Sequence, residues 1–136
     1  MRGQGSGPTL SWPPRSSSPR ERPSLFSRCR PCRFSATRRS FVLSIARDKD
    51  IPAILRILVP LAAEVVLTAI YSPRCMDLEA VAARVRSQFA VEVRVQPDPW
   101  KAVEESRARM GKDGLVCVTG SLYLVGAVRE AFRASA

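Results

Sequence analysis

The chain contains no histidine at all among its 136 residues. That removes imidazole from every role it could play: general base, proton shuttle at neutral pH, and nitrogen ligand to zinc or iron. Acidic residues are scarce at one end, since the first 40 residues hold nine of the 22 basic residues but only one of the 12 acids, Glu21. Most of the +10 net charge therefore belongs to that segment, and the charge of the whole chain says little about what residues 41–136 bind. No apolar run approaches the ~20 residues a membrane-spanning helix needs, so no membrane partner is expected. Cysteines number four. Without a secretory signal they point to reduced thiols and a cytoplasmic location. Neither G-x-G-x-x-G after a strand nor G-x-x-x-x-G-K-[ST] occurs, which disfavours a plain dinucleotide-binding domain and removes a phosphate-cradling loop; Gly111-Lys112 lacks that spacing and reads as a turn.

Residues 1–40 are rich in Arg, Ser and Pro and show neither helical nor strand periodicity. Such a segment buries too little apolar surface to offset its chain entropy, and a disordered tail is expected. Three readings of it stand side by side. Its basic, acid-poor character suits an organellar transit peptide, although the prolines oppose the amphipathic helix such leaders form. It could serve as a nucleic-acid-binding arm, with only Trp12, Phe26 and Phe34 for stacking, so nucleic acid is not the expected partner. Or it is a solvated extension, or a mis-assigned start of translation. Cys29 and Cys32 form a lone C-x-x-C here; with no second pair and no histidine, a four-ligand zinc site is not expected.

What is present from Phe41 onward is an alternation of apolar strands and amphipathic helices. Phe41–Ile45 reads as a buried strand. Asp50 caps the helix that follows, with Pro52 in its first turn and Ile51, Ile54, Leu55, Leu58 and Leu61 on one stripe. A second strand covers Val65–Ala69, and Asp77 caps a helix whose inner face is Leu78, Val81, Ala82, Val85 and Phe89. Val91–Val95 alternates strictly, which marks an edge strand with one wetter face. Asp98-Pro99 opens a third helix to about Met110. Leu115–Thr119 is apolar at nearly every position and reads as a parallel strand buried on both faces. Ser121 then caps a closing helix.

The order β-α-β-α-β-α-β-α demands right-handed crossovers, a mostly parallel sheet and helices on both faces: a three-layer, Rossmann-like α/β domain spanning 41–136. Every polar loop with chemical potential follows a strand, and so belongs on the carboxyl edge: Asp48-Lys49-Asp50, Ser72-Pro73-Arg74 and Thr119-Gly120-Ser121. Each has a plain reading. Lys49 between two carboxylates is a solvated, self-compensating loop, Ser121 an ordinary N-cap, Arg74 a loop cation. Each has a functional one too, because a lysine, an arginine, a hydroxyl and two helix N-termini gathered on one rim would receive carboxylates.

Three segments carry a family resemblance: Ser44–Leu58 (SIARDKDIPAILRIL), Val66–Arg74 (VLTAIYSPR) and Leu115–Arg129 (LVCVTGSLYLVGAVR). In order and spacing they resemble the C-terminal domain of folylpolyglutamate synthase and the bifunctional dihydrofolate synthase, of the Mur ligase superfamily. The resemblance implies a domain that closes over an ATP-binding domain and helps seat L-glutamate. The enzyme forms an acyl phosphate on a folate or dihydropteroate carboxylate, and the glutamate amino group displaces phosphate to give an amide. By the same resemblance Lys49 and Ser121 would contact glutamate, with Asp48, Asp50 and Arg74 as supports, while no catalytic residue or metal ligand is assigned. The family also carries an upstream Asp-Gly-Ala-His-Asn-Pro-like strand and an ATPase domain, for which this sequence shows no counterpart. ATP and Mg thus belong to the full-length family, none is expected to bind this chain alone, and turnover would require an ATPase half from elsewhere. Without the upstream strand an edge of the sheet is expected to lie bare. The alternative is a non-catalytic binding module that keeps the rim and uses the basic segment as an interaction arm.

Overall fold

The computed structural model describes residues 38–136. The expected disordered tail, its aromatic residues and the Cys29-x-x-Cys32 pair lie outside the described residues. The elements are β1 (Arg39–Leu43), α1 (Ile51–Leu58) continued by a 3-10 turn (Val59–Leu61), β2 (Glu64–Leu67), α2 (Leu78–Gln88), β3 (Glu92–Val95), α3 (Pro99–Met110), β4 (Leu115–Thr119) and α4 (Leu122–Ala134). All strands are parallel and run in the order β3-β2-β1-β4.

Each helix starts where a side chain satisfies its free N–H groups. Asp50 accepts from the N–H of Ala53, Asp77 from Ala80, Asp98 from both Trp100 and Lys101, and Ser121 from Tyr123. Pro52 and Pro99 stand in first turns, where their missing N–H costs nothing.

The side-chain alternation of β1 sorts the core into two layers. Phe41, Leu43 and Ile45 project to one face and pack with Val65 and Leu67 of β2, Leu55 of α1, and Val81, Ala82 and Val85 of α2. Val42 and Val66 project to the other and meet Ala102 and Val103 of α3, with Val116, Val118 and Val128 alongside. Helices α1 and α2 thus cover one side, α3 and α4 the other.

Three sequence expectations need correction. First, β1 begins at Arg39 rather than Phe41, and Ser40 is fully buried, so the sheet takes in residues assigned to the tail. Second, β2 starts at Glu64, which lies only 1% exposed. Its carboxylate accepts from the Ser40 hydroxyl at 2.8 Å, from Arg94 Nε at 3.1 Å and from Arg109 Nε at 2.5 Å, a set of partners that makes burial of the charge tolerable. Third, β4 is not buried on both faces. It stands at the end of the sheet with β1 as its single strand neighbour among the described residues; Leu115 is exposed and the other four residues are half-buried. The opposite end is β3, whose Glu92-Val93-Arg94-Val95 alternation gives the wet edge face its pattern implied.

Candidate functional site at the carboxyl rim

The crossovers from β1 to β2 and from β2 to β3 run outward on one face, whereas the chain returns through α3 on the other face to place β4 on the far side of β1. The sheet therefore reverses its winding between β1 and β4, and the loops leaving those two strands diverge above the crevice where open α/β sheets receive ligands. Residues Asp48-Lys49-Asp50 follow β1, and Thr119-Gly120-Ser121 ends β4. Because Leu43 is in register with Thr119, both loops leave the same edge at the same height.

The T-G-S turn is fitted closely against the end of β1. Ser44 N–H donates to the Thr119 carbonyl at 3.4 Å. Gly120 has φ of +98°, and a Cβ built on it would lie 2.6 Å from the Ser44 carbonyl oxygen. Only glycine meets both demands. Ser121, thereby fixed, caps α4 through its hydroxyl, 3.2 Å from the Tyr123 nitrogen, and remains partly exposed. The T-G-S pattern announced the turn, but its contact with Ser44 had no sequence signal. Ser44 itself is fully buried, and its hydroxyl has no hydrogen-bond partner among the described residues.

The loop after β1 is folded on itself. Lys49 N–H donates to the Ala46 carbonyl at 3.0 Å and the Lys49 carbonyl accepts from Ile51 N–H at 2.8 Å, so the residue is pinned by its backbone while its side chain is exposed. Lys49 makes no ion pair among the described residues. Asp48 does: its carboxylate lies 3.5 Å from Arg74 Nη1, both side chains about half exposed. Backbone contacts tie the same two loops together, with Arg47 N–H donating to the Arg74 carbonyl at 2.8 Å and an antiparallel bridge between Ala46 and Cys75. Asp50 is engaged as the α1 cap at 3.0 Å. The structure thus joins Asp48 to Arg74, places Asp50 and Ser121 at helix starts, and leaves the Lys49 ammonium outward on the rim they share. A groove of about 820 Å³ opens elsewhere, lined by Val103, Arg107, Lys112, Val116, Val118 and Phe132 among others; it contains none of the rim residues.

The family described as dihydrofolate synthetase, C-terminal domain, matches residues 24–131. Among solved structures, the chain is similar to folylpolyglutamate synthase of Mycobacterium tuberculosis complexed with ADP and AMPPCP: 31% identity, TM-score 0.61, covering 70% of this chain and 23% of that one. It is similar as well to folylpolyglutamate synthase of Thermotoga maritima, with 33% identity, TM-score 0.59, and coverage of 73% and 22%. E. coli FolC in complex with DHPP and ADP shares the fold, with TM-score 0.65 at 21% identity over 72% of this chain and 22% of that one. The chain spans under a quarter of the length of these structures. No curated protein matches it.

Proposed function

The chain belongs to the dihydrofolate synthetase C-terminal-domain family, and from that premise we propose that its carboxyl rim seats L-glutamate for an ATP-dependent folate–glutamate ligase. The observation that supports the reading is the reversal of winding between β1 and β4, with the Lys49 loop and the Ser121 turn leaving neighbouring strands at the same edge of the sheet. Glutamate brings two carboxylates and an amine. The Lys49 ammonium supplies a point charge for one carboxylate, and the Ser121 hydroxyl with the N-terminus of α4 supplies hydrogen bonds and a partial positive charge for an anion. Asp48 and Arg74 compensate each other and brace the loop, so that Lys49 is presented at a fixed place; Asp50 orders the start of α1 behind it. What such a site contributes is orientation: an amine held facing an activated acyl group reacts as if at very high local concentration.

ATP and its magnesium ion do not fit a site built from the described residues. No three of His, Cys, Asp and Glu gather there in a metal-holding cluster, and the sequence has no phosphate-cradling loop. In this reading the nucleotide, the metal and the folate or dihydropteroate carboxylate are held by an ATPase domain, and the product amide forms between the two parts. The test is ATP- and glutamate-dependent phosphate release with a folate acceptor, measured with this chain alone and mixed with an ATPase domain of the family. The mixture turns over and the lone chain does not; Lys49→Ala and Ser121→Ala raise KM for glutamate while leaving KM for ATP unchanged. Turnover by the lone chain, or a KM for glutamate indifferent to both substitutions, contradicts the proposal.

A further inference from the structure

We draw no further inference here: the strongest candidate, the groove of about 820 Å³ bordered by α3, β4 and α4 and lined by Val103, Met110, Val116, Val118 and Phe132 among others, carries nothing because nothing in the structure shows what covers it.

Discussion

Replacing Gly120 with alanine disturbs the rim at the point where its two halves touch. A side chain there must adopt a φ of +98° and place its Cβ 2.6 Å from the Ser44 carbonyl oxygen, an atom of the backbone and not the movable end of a side chain. The unfavourable backbone region costs about 1–2 kcal/mol and the overpacking about 1–3 kcal/mol, so Gly120→Ala lowers stability by about 2–5 kcal/mol. For a domain of this size that is a fall in Tm of roughly 8–40 °C, easily read by circular dichroism. Gly126, inside α4, is the contrasting case. A Cβ there meets nothing within 4 Å, and Gly126→Ala raises stability by up to about 1 kcal/mol through helix propensity alone. If Gly120→Ala costs less than about 1 kcal/mol, the T-G-S turn does not rest on the end of β1, and the close fit between the bases of the two loops fails with it.

Other substitutions read other parts of the structure. Glu64→Gln removes the charge that Arg94 and Arg109 share and costs about 1–3 kcal/mol in urea unfolding, less than the usual cost of breaking a fully buried pair because both guanidinium groups keep some access to water. Asp98→Ala takes an acceptor from two N–H groups at the start of α3 and costs about 1–2 kcal/mol, more than Ser121→Ala, which frees one. Asp48→Ala changes stability by less than about 1 kcal/mol, and that small effect shrinks further in high salt. Ser44→Ala deletes a buried hydroxyl without a partner and is neutral or stabilising by thermal unfolding; a clear loss would show that the hydroxyl is bonded after all.

The helices were legible because their signals are local. Asp50, Asp77, Asp98 and Ser121 each precede an apolar stripe at helical spacing, and each accepts a hydrogen bond from the first turn. The alternation of Glu92-Val93-Arg94-Val95 likewise identified an edge strand, since a strand wet on one face leaves charges at every second position. The same logic misled at Leu115–Thr119. An unbroken apolar run signals that both faces are meant to be dry, but it carries no information about neighbours, and only the strand order shows that β4 has β1 as its single strand neighbour among the described residues. A lone carboxylate before an apolar run carries no local sign of burial, and Glu64 is held in its strand by Ser40, Arg94 and Arg109, which come from three other elements. At the site, the three polar loops were identifiable because each follows a strand. The Asp48–Arg74 pair and the Gly120–Ser44 contact were not, since both depend on which strands lie side by side.

The account rests most heavily on the Lys49 loop and the Ser121 turn acting together on one amino acid. Titrating L-glutamate into the ¹⁵N-labelled chain and following backbone amides by NMR tests this without any turnover. The amides of Arg47–Asp50 and Gly120–Tyr123 shift together along a single binding curve, and Lys49→Ala abolishes both sets of shifts while the rest of the spectrum keeps its folded dispersion. Shifts confined to one of the two segments, or appearing instead around Arg107 and Lys112, would contradict the claim that the rim is a glutamate seat.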